Sequence, residues 1–363
     1  MAQEYYYSSY DNFTSGNDVP GILAAGDYVM IIIFGVIFVI GVIGNVFVIT
    51  VVRRKLTGFQ IATNNLILSL STADLCFLIL NPPIATTAFL RRPWYLGSLL
   101  CKLAHFGINV SMLASIYTLI ALSFDRYSSL GEPFKLVRFP PKTHRNSKII
   151  VCVIWCISIL ISSPYLIVFT TSDHGSGPIC YDKWHDPMKQ KARYLMAMFV
   201  VGYFIPLLLI SATYIFIWRT AWRTLKHTTQ KNSGVKRSRR NVTIIISIVI
   251  LAFGICWLPH NIFYLWLSIS RHHFPYTHGT YVLKLIALSS SYLNSSLNPI
   301  IYSLMSKKFR EAAKILWQDC FLKPENRRGY TSTPVPKIYR GVRTRNTPHQ
   351  NSNPKQWVEL VPS

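Results

Sequence analysis

The chain has 363 residues, half of them hydrophobic, and 38 Lys and Arg against 14 Asp and Glu give a formal net charge of +24. Only 14% of the residues are charged, where soluble domains carry about a quarter, so a water-soluble enzyme or binding domain fits poorly. The basic residues fall between apolar runs rather than along one face, which excludes a nucleic-acid-binding surface and points to loops at a membrane.

Residues 1–27 are polar and aromatic, with no basic region leading into an apolar leader, and read as an extracellular tail. Asn12-Phe13-Thr14 in that tail is a glycosylation sequon. Apolar stretches long enough to cross a bilayer as helices lie at about 28–52, 64–90, 99–127, 149–170, 195–218, 242–270 and 281–304. No strand-like alternation persists far enough for a barrel, and helices satisfy their own backbone in lipid. The expected architecture is therefore an all-α membrane protein, a seven-helix bundle over 28–304. The amphipathic stretch 305–321 forms a short eighth helix, and a disordered cytoplasmic tail occupies 322–363, where Pro, Asn, Arg, Ser and Thr dominate.

Loop charge orients the bundle. Arg53, Arg54 and Lys55 follow the first span, Lys135, Arg138, Lys142 and Arg145 the third, and Lys307, Lys308, Arg310 and Lys314 the seventh. A basic run at 219–240 joins the fifth and sixth. The positive-inside rule puts the N-terminus outside and the C-terminus in the cytosol. The same basic surfaces suit anionic lipid.

Polar groups inside spans are costly and each needs a reason. Asn45, Asp74, Ser115, Asn294 and Asn298 lie on four spans at similar depth. They form either an interhelical hydrogen-bond cluster or an oxygen-rich site for a cation such as sodium. Pro82, Pro83, Pro164, Pro206, Pro259 and Pro299 interrupt five spans, and each removes a backbone hydrogen bond and bends its helix. A bundle kinked in this way can adopt two packings. The seven cysteines are scattered without paired ligand spacing, so a zinc site is not expected. Cys76, Cys152, Cys156 and Cys256 read as small packing residues within spans.

In chain order, Gly44-Asn45, Leu70-Ser71-Thr72-Ala73-Asp74, Trp94, Cys101, Asp125-Arg126-Tyr127, Trp155, Cys180, Pro206, Phe253 to Pro259 and Asn298-Pro299-Ile300-Ile301-Tyr302 resemble the landmarks of the rhodopsin-like (class A) G-protein-coupled receptors. By that resemblance Cys101 and Cys180 pair. Asp125 holds Arg126, the arginine that contacts the G protein, in the inactive state, with Tyr127 completing the motif. Tyr214 and Tyr302 swing towards Arg126 on activation, and Pro133 and Phe134 dock into the G protein. Trp257, above Pro259, resembles the aromatic switch beneath the ligand, and Asn298-Pro299 the seventh-helix hinge. Asp74, Ser115, Asn294 and Asn298 are the candidate sodium ligands on the cation reading of the polar cluster. Cys320 resembles a palmitoylation site. Phosphorylated Ser and Thr of the tail would recruit arrestin. Arg239 stands where some receptors carry an acid that restrains the arginine, which implies elevated basal signalling.

No acid lies in the third span near the outer end, which argues against an amine ligand, and Tyr292 stands where a retinal pigment needs lysine. Aromatic and basic residues at the outer end suit an extracellular peptide, with Trp94, His105, Arg193, His260, Asn261, Tyr264 and Tyr281 as candidate contacts. Within the peptide branch, FGICWLPHNIFYLW and SYLNSSLNPIIY resemble the galanin receptors, which are related to the allatostatin-A and kisspeptin receptors. A galanin-like peptide is the first expectation, and an allatostatin-A-, kisspeptin- or spexin-like peptide the second. A transporter would more often show repeated halves, and no catalytic motif such as H-E-x-x-H is present.

Overall fold

The computed structural model describes residues 20–55, 61–89, 93–129, 144–173, 177–226, 233–270, 274–275, 277–305 and 307–321. Long helices dominate: α1 (Pro20–Lys55), α2 (Ile61–Phe89), α3 (Gly97–Ser129) and α4 (His144–Ser162). An interrupted α5 consists of Ala192–Phe199, a π-helical turn Val200–Phe204, and Ile205–Lys226. Then come α6 (Ser233–Ser270), α7 (His278–Met305) and the short α8 (Lys307–Phe321). In the bundle α3 packs against α2, α4 and α5, while α7 packs against α1, α2 and α6.

Side chains are sorted as lipid solvation requires. Leu70, Leu113, Ile116, Leu119, Phe253 and Tyr292 are buried along the bundle axis. Ile32, Leu99, Leu160, Leu208, Leu251 and Ile286 are exposed on its flanks. So much exposed aliphatic surface would be an aggregation hazard in water, and it is the expected face towards hydrocarbon. Six helices among the described residues are long and apolar enough to cross a membrane. The exception, α7, is diluted by Ser291, Asn294, Ser295, Ser296 and Asn298, all of which are buried. Its polar residues face the other helices, so mean hydropathy understates how apolar its outer side is.

Two expectations need correction. The fourth span does not continue as helix to residue 170. α4 stops at Ser162, a single turn Tyr165–Val168 comes next with Pro164 as its N-cap, and Phe169 begins a strand. Proline lacks the N–H that would continue the ladder. β1 (Phe169–Asp173) pairs antiparallel with β2 (Pro178–Asp182), Thr171 opposite Cys180. Nor are all four cysteines expected within the spans packing residues: Cys256 is buried and Cys76 half-buried, but Cys152 and Cys156 are exposed on α4. Four residues apart, they share one helix face, and that face looks outwards.

The prolines act in different ways. Pro82, Pro83, Pro259 and Pro299 lie within continuous helices. Pro206 comes just after the π-turn of α5. α1 meets α7 closely at that helix's proline: a Cβ added at Gly44 would lie 2.8 Å from Pro299 Cβ.

Candidate functional site

Three polar or aromatic assemblies lie along the axis. The middle one surrounds Asp74, which is fully buried in α2. Ser115 Oγ in α3 donates to its Oδ1 at 2.9 Å and Ser295 Oγ in α7 at 3.0 Å. Asn298 Nδ2 donates to Oδ2 at 2.6 Å. Asn45 Nδ2 joins α1 to α7 through the Ser295 carbonyl at 3.0 Å, and also donates to the Gly41 carbonyl at 2.9 Å. The buried Oδ1 atoms of Asn45, Asn294 and Asn298 have no hydrogen-bond partner among the described residues. A carboxylate beside unpartnered carboxamide oxygens is a donor set for a hard cation. Ser295 was not singled out in the sequence, although the neighbouring Asn294 was.

At the disulfide end, Cys101 at the head of α3 is bonded to Cys180 in β2. The hairpin is also held by hydrogen bonds from Trp94 N to Pro178 O (2.6 Å) and from Lys183 N to Val168 O (2.7 Å). Gly177 has φ +109°, and a Cβ there would come within 2.9 Å of Pro93. Trp94 is buried against Cys101 and Phe169, its indole N–H donating to the Gly97 carbonyl at 3.0 Å. It packs beneath the hairpin. Asp182 ends β2 and accepts from Lys191 (2.8 Å) and Trp184 Nε1 (2.6 Å).

His105 in α3 stacks on Phe169 with ring centroids 3.9 Å apart. In α6, His260 lies 5.3 Å from Trp257 and 4.5 Å from Tyr264, centroid to centroid. His260 Nδ1 and Trp257 Nε1 are buried without a hydrogen-bond partner among the described residues. Asn261 turns back onto its own helix, donating to the Trp257 carbonyl at 2.8 Å. Arg193 is exposed on α5, with its Nε on the Lys189 carbonyl at 3.2 Å. Tyr281 is half-buried in the first turns of α7. Of the seven candidate contacts, His105 stacks on Phe169 and His260 and Tyr264 belong to a cluster of edge-on and tilted rings, whereas Trp94 lies under the hairpin and Arg193 is exposed. Asn109, absent from the candidates, links three elements by donating to Ser162 Oγ (3.1 Å) and Tyr194 Oη (3.2 Å).

At the opposite end, Asp125 Oδ2 accepts from Thr63 Oγ1 of α2 at 2.7 Å. The Tyr127 ring lies 6.4 Å from that of Phe216 in α5. Tyr214 is half-buried, and Tyr302 is buried with its hydroxyl unpartnered among the described residues. Arg126 lies on α3, but its side chain is outside the described residues. Asn12, Pro133 and Phe134 also lie outside them, as does the side chain of Cys320 on α8. Phe309 of α8 packs edge-on against Phe47 of α1 at 6.0 Å, and Arg310 donates to the Ser303 and Leu304 carbonyls at the end of α7.

A kinked seven-helix bundle with a polar core, a disulfide-tethered hairpin at one end and an Asp-Arg-Tyr motif at the other defines a membrane receptor. Residues 44–302 match the sequence profile of the 7 transmembrane receptor (rhodopsin family), and the chain belongs to that family. It is 38% identical to rat galanin receptor type 2 over 279 residues, covering 77% of this chain and 73% of that one. It is 36% identical to human galanin receptor type 1 over 303 residues (83% and 84%). Against zebrafish galanin receptor 2a it is 34% identical over 307 residues (85% and 83%).

Proposed function

We propose that this chain is a cell-surface receptor for a galanin-like peptide, which it reads at the disulfide end and reports to a heterotrimeric G protein at the other. The likeness to galanin receptors spans most of both chains, and it carries this reading. The aromatic face around Trp257, His260 and Tyr264 supports it, because rings with unpartnered N–H and N atoms suit a peptide with aromatic and polar anchors. The N-terminal tail, glycosylated at Asn12, lies outside. The basic loops and the 322–363 tail lie in the cytosol, with Cys320 lipidated in the last turn of α8 and the phosphorylated tail binding arrestin.

Signalling is a population shift. A peptide that binds one packing of the bundle better favours it, and a G protein that prefers the same packing is bound more tightly in turn. Asp125, Arg126 and Tyr127, with Pro133, Phe134, Tyr214 and Tyr302, form the G-protein face. Trp257, Pro259, Asn298 and Pro299 are where the packings differ. The polar core fits a sodium ion, for which Asp74, Ser115, Ser295 and the carboxamide oxygens of Asn294 and Asn298 would be ligands. The ion supplies a counter-charge for the buried carboxylate. Ser115, Ser295 and Asn298 otherwise hold Asp74 by direct hydrogen bonds, so occupancy would compete with the Asn298 contact.

The test is nucleotide exchange in membranes containing the chain and a panel of G proteins, with galanin-, spexin-, allatostatin-A- and kisspeptin-like peptides. Saturable stimulation by galanin-like peptides is expected. Silence with galanin while another peptide stimulates exchange would overturn the ligand assignment but leave the receptor reading in place.

A further inference from the structure

Below the aromatic face lies a polar contact between α5 and α6 that neither ligand recognition nor the polar core accounts for. The Tyr203 hydroxyl donates to the Gly254 carbonyl at 3.0 Å. Tyr203 is 6% exposed, its ring 6.1 Å from Phe253 and 6.0 Å from Phe199. It belongs to the π-turn Val200–Phe204, in which the Ile205 amide reaches back five residues to the Val200 carbonyl. A π-turn adds a residue to the helix and rotates the remainder of that helix by about 100° relative to a regular α-helix. That rotation decides which side chain α5 turns towards α6. Pro206, directly beyond, lacks the N–H that a regular ladder would have used.

The position of the acceptor gives the contact its consequence. Gly254 lies five residues before Pro259, on the arm of α6 that runs to its cytosolic end. The proline is the weak point about which that arm can swing. If the arm leaves α5, the Gly254 carbonyl still has its own helix, but the buried Tyr203 hydroxyl is left without water or partner. A contact made in one packing and costly to break biases the population towards that packing.

We propose that Tyr203 is a positioning residue that latches the cytosolic arm of α6 to α5, so that the receptor stays in the packing seen here and ligand-free signalling is suppressed. The latch rests on the receptor reading above, not on which peptide binds.

Tyr203→Phe removes one oxygen and keeps the ring, and is the decisive variant. Gly254→Ala is the control, because it retains the carbonyl and its Cβ meets only Leu207 Cδ1 at 3.4 Å. Amide hydrogen exchange in α6 is read on purified receptor without G protein, and ligand-free nucleotide exchange with G protein. Tyr203→Phe is expected to speed amide exchange over 241–254 and to raise basal nucleotide exchange about threefold to tenfold, the shift one hydrogen bond carries. Gly254→Ala should show no rise in either, because alanine strengthens the helix and leaves the carbonyl in place. Unchanged amide exchange in Tyr203→Phe overturns the latch, whichever peptide binds. Faster amide exchange with unchanged or lower basal signalling overturns its suppressing role. An equal rise in Gly254→Ala overturns it as well, because the carbonyl would not be what matters.

Discussion

Asp74 of α2 and Asn298 of α7, 224 residues apart, meet at 2.6 Å between carboxylate and carboxamide. Asn298 directly precedes Pro299, so the contact ties the buried charge to the point where α7 is weakest. With Ser115 and Ser295 on the other oxygen, the carboxylate reports on the relative position of three helices.

If this cluster accepts sodium, wild-type receptor should melt at higher temperature in sodium chloride than in equimolar choline chloride, because a ligand of the folded state stabilises it. Asp74→Asn should abolish the difference. A sodium effect that persists in Asp74→Asn would place the ion elsewhere.

Gly44→Ala should destabilise the bundle by about 1–3 kcal/mol. The new Cβ would sit 2.8 Å from Pro299 Cβ and 3.0 Å from Cγ, and a proline ring has little freedom to retreat. Thermal melting in detergent measures the cost. Gly35→Ala, with nothing within 4 Å of its Cβ, should melt close to wild type.

Gly177→Ala should loosen the hairpin. The residue has φ +109° and its Cβ would press on Pro93, a backbone strain of about 1–3 kcal/mol before the clash is counted. Faster amide exchange across Pro178–Asp182, with α7 unaffected, is the expected pattern.

Loss of the Cys101–Cys180 bond, by Ser at either position, removes a link across 79 residues. The unfolded chain gains conformational entropy, and about 2–4 kcal/mol of stability should go with it. Affinity for the activating peptide should fall further than melting temperature alone accounts for, because Phe169 beneath His105 belongs to the tethered hairpin. Radioligand binding on surface-expressed receptor distinguishes the two.

What could be read along the chain was set by local chemistry. Lipid demands long apolar helices, so the spans, their order and their charged loops are legible from hydropathy and positive-inside bias. Asp74 is conspicuous because an acid in a span needs a reason. The two serines that bind it differ: Ser115 was legible as a polar residue at the depth of Asp74 in an apolar span, whereas Ser295 sits among other serines of α7 and only helix rotation selects it.

Tertiary structure decided what depends on direction. Pro164 could kink a helix or end it, and the β1–β2 hairpin that comes next is tied to the head of α3 by the Cys101 bond and to Trp94 by a backbone hydrogen bond. Cys152 and Cys156 looked like packing residues until α4 turned that face outwards. Trp94, a candidate ligand contact in the sequence, is buried against Cys101 and Phe169. The linear sequence determines which residues can live in a membrane and in what order they cross it. Which of them touch depends on helix rotation and proline bends, and those are fixed only when seven helices pack against one another.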